Sequence, residues 1–147
     1  PGQVAEFVLP RFIKALMDDK QPVVYGDGSQ IRSFCYVDDI ARGTVLALLS
    51  EKSDSEIFNI GNDKEMVTIL DAAKKVIEIS GKQILPKFIS FNDADRSLDR
   101  DISKRVPDIT KARKLLGYEP NIFLEDGIRK VLESGSILES WIDPMED

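Results

Sequence analysis

From residue 25 to residue 39 the chain runs Tyr25-Gly26-Asp27-Gly28-Ser29-Gln30-Ile31-Arg32-Ser33-Phe34-Cys35-Tyr36-Val37-Asp38-Asp39. Gly26 and Gly28 permit a tight turn and close approach of backbone to a neighbour. Arg32 follows, beside an aromatic extended run. A planar guanidinium suits a diphosphate, because it donates two parallel charge-assisted hydrogen bonds. Taken alone, an Arg after a hairpin is ordinarily a solvated surface residue. Asp38 and Asp39 read as a helix cap rather than as catalysts. Cys35 falls in an extended run expected to be buried, which gives an inert thiol. The chain contains no histidine, which removes Ser-His and Cys-His catalysis and histidine-containing metal sites.

The 147 residues suit one domain with a sizeable core. The composition, 42% hydrophobic and 31% charged with a net charge of −6, is that of a globular protein. An acidic balance argues against nucleic acid or an anionic membrane as partner, yet permits a local cationic pocket for one small anion. No apolar run approaches the ~20 residues needed to span a bilayer. The single cysteine precludes an intrachain disulfide and fits a cytoplasmic setting. Pro1-Gly2-Gln3-Val4 has neither Met nor a signal-peptide pattern, and reads as a start within a longer protein.

The elements that must position Arg32 follow from periodicity. Val8, Leu9, Phe12, Ile13 and Leu16 predict a helix over 6–17, broken by Pro22. Val23-Val24-Tyr25 and Phe34–Val37 predict two extended runs around the glycine turn. A helix over roughly 39–50, apolar nearly all round, should be well buried. Ile57–Gly61 predicts a strand. Thr68-Ile69-Leu70-Asp71 resembles a capping box opening a helix that Gly81 stops. Ile84–Phe91 predicts an edge strand interrupted by Pro86, and 92–105 a charged loop. Short helices are expected from Thr110 to Leu116 and from Leu124 to Leu132, then a loose tail. The order implies a small α/β domain.

The segment from Tyr25 resembles the Y-G-x-G-x-Q-x-R-x-F-x-Y-V-x-D motif of the extended short-chain dehydrogenase/reductases, the NAD-dependent epimerase/dehydratase family that acts on nucleotide sugars. Pro10-Arg11-Phe12-Ile13, Phe58-Asn59-Ile60-Gly61, Arg105-Val106-Pro107-Asp108-Ile109 with Leu116-Gly117-Tyr118-Glu119-Pro120, and Leu124-Glu125-Asp126-Gly127-Ile128 resemble further family pieces in the family's order. Tyr118 stands where the family usually has Trp. The resemblance implies a C-terminal substrate-binding domain lacking the Rossmann sheet, over residues 1–133, with a tail at 134–147. It implies that Arg32 and Arg105 grip the diphosphate of a nucleotide-diphosphate sugar, that Asn59 lies near the phosphates or sugar, and that Val8, Val23 and Tyr25 line the base pocket. Read without the family, Arg105 belongs to a solvated charged face, Asn59 to a turn or strand end, and Val8, Val23 and Tyr25 to plain core. The family's G-x-x-G-x-x-G loop for NAD and its Tyr-x-x-x-Lys pair have no counterpart at matching spacing here. The resemblance therefore implies an NAD-dependent, commonly homodimeric parent enzyme, closest to the UDP-glucuronate decarboxylase and dTDP-glucose 4,6-dehydratase branches. This chain would supply its substrate recognition without its catalysis. A stand-alone nucleotide-sugar-binding module and a purely structural interaction domain are the alternatives; the last expects Arg32 and Arg105 to point apart.

Overall fold

The computed structural model describes residues 7–90 and 102–134. The tail beyond Ser134, and most of the expected charged loop, lie outside the described residues. In chain order the elements are α1 (Val8–Met17), β1 (Val23–Tyr25), β2 (Ile31–Ser33), α2 (Val37–Leu49), a 3-10 turn (Glu51–Ser53), β3 (Met66–Thr68), α3 (Ile69–Ser80), β4 (Lys87–Ile89), β5 (Lys104–Arg105), α4 (Thr110–Leu116) and α5 (Leu124–Ser134). The strands form two small sheets: β1 with β4, parallel, and β3-β2-β5, in which β2 runs antiparallel to β3 and parallel to β5. This is a small mixed α/β fold. No helix among the described residues is long and apolar enough to cross a membrane.

Helix α3 is the centre of the larger core. Its Ile69, Ala72, Ala73, Val76 and Ile77 are buried, at the spacing of one helical face. That face meets Phe12, Ile13 and Leu16 of α1 and Leu124 and Ile128 of α5. Each large apolar side chain buried there contributes about 1.5–3 kcal/mol. The first helical N–H groups need partners outside the helix. Leu70 N–H donates to the Gly28 carbonyl and Ile69 N–H to the Gln30 carbonyl, each at 3.0 Å. Asp71 N–H donates to Thr68 Oγ1 at 3.0 Å, the expected cap. Gly81, at φ 70°, closes the helix in the left-handed conformation. The glycine turn is thereby docked on the helix that organises the core.

Gly28 has no room for a side chain. Its φ is +71°, and a Cβ there would lie 2.6 Å from Val24 Cγ1 and 3.0 Å from Leu70 Cβ. Gly28→Ala is expected to destabilise by about 2–4 kcal/mol, combining left-handed strain with overpacking. Urea unfolding checks this, and a loss below about 0.5 kcal/mol, the range of an ordinary surface change, would contradict it.

Several expectations are corrected. The strand after the turn is Ile31–Ser33 rather than Phe34–Val37, because hydrogen bonding to β3 and β5 engages Arg32 and its neighbours, not the aromatic run. Ile57–Gly61 is not a strand; no ladder partner reaches it among the described residues. Met66–Thr68 and Lys104–Arg105 are strands, so Arg105 lies on a sheet edge and not in a loop. Helix α2 is largely exposed, with Leu48 and Leu49 at 82% and 76% exposure. Only Asp39 and Gly43 of α2 are buried, on the side that meets the second core of Ile109, Ala112, Leu116 and Tyr118. Neither Asp38 nor Asp39 caps α2, whose N-cap is Tyr36 without a side-chain bond. Asp39 instead turns inward.

Candidate functional site

A cleft of about 600 Å³ opens between α1, β1, β2 and β5. Its walls include Arg32, Arg105, Val8, Val23 and Tyr25, so five of the six residues singled out in the sequence are brought together. Arg32 and Arg105 are register partners on adjacent parallel strands, and so project from the same face of the sheet. Arg32 Nη1 donates to the carbonyls of Ile31 at 2.9 Å and Ile102 at 2.7 Å, which fixes the direction of its fork. Two guanidinium groups on one face offer charge-assisted donors of the kind that suit an anion.

The remaining lining is Phe7, Leu9, Pro10, Phe34 and Ile69 on the apolar side, and Arg11, Gln30 and Ser33 on the polar side. Among the described residues, the lining contains three arginines and no carboxylate. In a chain of net charge −6 this is a local inversion of sign. Arg11, Gln30, Ser33 and Phe34 were not singled out as site residues in the sequence. Arg11 is one position before buried Phe12 on an amphipathic helix, where sequence alone shows an ordinary boundary residue; only the packing of α1 beside β1 reveals it.

Asn59 is placed elsewhere. It is exposed, and its Nδ2 donates to the Asp108 carbonyl at 3.2 Å, ahead of α4. Cys35 is half-buried beside the Tyr118 hydroxyl at 3.6 Å. Burial pushes its thiol up, despite the hydrogen bond with Tyr118 that lowers it. A protonated thiol is a poor nucleophile.

A second polar cluster ties α2 to the start of α5. The Asp39 carboxylate accepts from Asn121 and Ile122 N–H, both at 2.9 Å, and from Arg42 Nη2 at 2.6 Å. Burial acts to raise its pKa, but these hydrogen bonds outweigh it and hold the carboxyl below its ordinary value. Arg42 also donates to the Glu119 carbonyl. Arg113 bonds both Asp63 and Glu119. This cluster is satisfied internally and does not line the cleft.

The mixed α/β fold thus carries a partly apolar cleft lined by paired arginines. The chain belongs to the NAD-dependent epimerase/dehydratase family: the family model described as GDP-mannose 4,6 dehydratase matches residues 1–131. It is 35% identical over 122 residues to a UDP-glucuronate 4-epimerase of Thermodesulfobacterium geofontis, covering 83% of this chain and 35% of that protein. It is 32% identical over 126 residues to a UDP-N-acetyl-alpha-D-glucosaminuronate decarboxylase of Bacillus cytotoxicus, covering 86% and 39%. Among solved structures, it is similar to UDP-glucuronic acid 4-epimerase from Bacillus cereus in complex with UDP-glucuronic acid and NAD. The TM-score there is 0.73 at 38% identity, over 84% of this chain and 38% of that one. The fold matches the C-terminal portion of such extended short-chain dehydrogenase/reductase structures.

The N–H groups about the glycine turn are engaged within the fold. A dinucleotide loop offers free N–H groups at a helix N-terminus to the pyrophosphate. Here the first N–H groups of α3 are taken by Gly28, Gln30 and Thr68. The Gly26 N–H donates to the Ile89 carbonyl.

Proposed function

We propose that this chain is the substrate-binding part of a cytoplasmic, NAD-dependent nucleotide-sugar epimerase, dehydratase or decarboxylase. Arg32 and Arg105 hold the diphosphate of the nucleotide sugar. Val8, Val23 and Tyr25 hold the base, by burial and aromatic contact. Asn59, which is not among the cleft's lining residues, is the family match for a polar residue near the phosphates or the sugar. NAD and the proton-transfer groups belong to the remainder of the full-length protein, which acts as a homodimer. The observation that carries this reading is the arginine pair, set in register on one face of the sheet and both lining the cleft. The match to about two fifths of the length of its relatives supports the assignment of catalysis elsewhere.

The test is calorimetric titration of the full-length protein with UDP and dTDP. Arg32→Ala is expected to weaken binding by about 1.5–3 kcal/mol, as for hydrogen bonds to charged groups. Unchanged affinity would remove Arg32 from the site. Absence of any nucleotide binding by the unaltered protein would favour the structural-domain alternative.

A further inference from the structure

Arg11 reaches the same cleft from a different wall. It rises from α1, whereas Arg32 and Arg105 stand on the β2–β5 sheet. Its Nη2 donates to the Tyr25 hydroxyl at 2.8 Å, and its Cζ lies 4.9 Å from the Tyr25 ring centroid. The guanidinium is therefore held both by the ring and by its hydroxyl, which positions it before any ligand arrives. It is half-buried and forms no ion pair among the described residues. A partly desolvated cation needs an acceptor. The residues around it, Val8, Val23 and Tyr25, form the apolar and aromatic wall of the cleft.

We propose that Arg11 determines base specificity by donating to a ring carbonyl of the nucleotide. The inference rests on the proposed function, in which this wall holds the base. An arginine has donors only. It therefore favours a base edge that presents a carbonyl oxygen, as uracil and thymine do. It opposes an edge that presents an exocyclic amine, as cytosine and adenine do, because two donors then face each other in a half-buried site.

UDP and CDP share the diphosphate and differ at ring positions 3 and 4, an N–H and a carbonyl in uracil against a bare nitrogen and an amine in cytosine, so they are the probes. With the full-length protein, UDP is expected to bind tighter than CDP. Arg11→Met is expected to lower UDP affinity roughly ten- to hundredfold while CDP changes little, so the preference collapses. Arg32→Met is expected to weaken both alike. Arg11→Gln supplies an independent variant, since an amide offers either a donor or an acceptor and should bind the two nucleotides about equally. Equal losses for UDP and CDP in Arg11→Met would make Arg11 a third phosphate cation and overturn the proposal. Retention of the UDP preference in Arg11→Met or Arg11→Gln would also overturn it, as would a wild type without that preference. In each of those outcomes the diphosphate reading survives; if neither nucleotide binds the wild type, both readings fall.

Discussion

Asp39→Ala is expected to destabilise the protein by about 2–4 kcal/mol, from the loss of hydrogen bonds to a buried charged group and the partnerless donors left behind. Asp39 is 2% exposed. Its removal leaves the N–H groups of Asn121 and Ile122 without their acceptor, while the part-exposed Arg42 keeps the Glu119 carbonyl. Asp39→Asn should cost less, about 1–3 kcal/mol. The amide oxygen still accepts from the two N–H groups, which share Oδ2, but its NH₂ then faces Arg42. Urea unfolding at neutral pH orders the three proteins, and an Asp39→Ala loss below about 1 kcal/mol would exclude the clasp as a stabilising element.

The same carboxylate predicts a pH window. Its folded pKa lies below the ordinary value. Its contribution is therefore complete above the unfolded pKa of about 3.9 and is lost as pH falls through the lower, folded value. The stability gap between wild type and Asp39→Asn should be constant from pH 7 to about pH 5 and should close in more acid solution. A gap that closed between pH 7 and pH 5 would point to another group.

Asp39 also marks how far the sequence could be read. Features with local causes were legible. The Thr68 cap and the Gly81 and Gly117 stops depend on residues within one helical turn, and all three occur as expected. The buried face of α3 follows from spacing alone. Asp39 was legible only as an acidic residue near a helix start, which suggests a cap. Its actual partners lie 82 and 83 residues away, beyond any local pattern. The sheet failed for the same reason. Phe34-Cys35-Tyr36 has stronger β-propensity than Ile31-Arg32-Ser33, yet pairing with β3 and β5 decides which residues form the strand. Of the cleft, Arg32, Arg105, Val8, Val23 and Tyr25 were named through the resemblance, while Arg11, though inside one of its pieces, needed the approach of α1 to β1. The apolar outer face of α2 misled because all-round hydrophobicity implies cover on both sides. The described residues cover only one side.

The position where Tyr118 replaces the family's usual Trp yields the other large effect. Tyr118 is fully buried, in the core formed with Ile109, Ala112 and Leu116. Its hydroxyl donates to the Gly61 carbonyl at 2.9 Å and lies beside Cys35. Burial raises the pKa of the phenol, so it stays protonated and remains a donor. The ring also stands against Gly43 of α2, where a Cβ would come within 2.5 Å of Ile60 Cγ2 and 2.9 Å of Tyr118 Cε2; removing the ring also gives the Ile60 side chain room to shift. Tyr118→Ala is expected to cost about 3–5 kcal/mol, as for other buried aromatic truncations. Tyr118→Phe keeps the ring and loses the hydroxyl's bonds to the Gly61 carbonyl and the Cys35 thiol, so about 1–2 kcal/mol is expected. Gly43→Ala should destabilise the wild type, where overpacking outweighs the gain in helix propensity, and should be tolerated better in Tyr118→Ala, where the cavity admits the methyl group. A double-mutant cycle measures this coupling. Additive losses would show that Gly43 is not held small by the ring; a compensating pair would show that the small residue of α2 and the large one after α4 are matched parts of one packing layer.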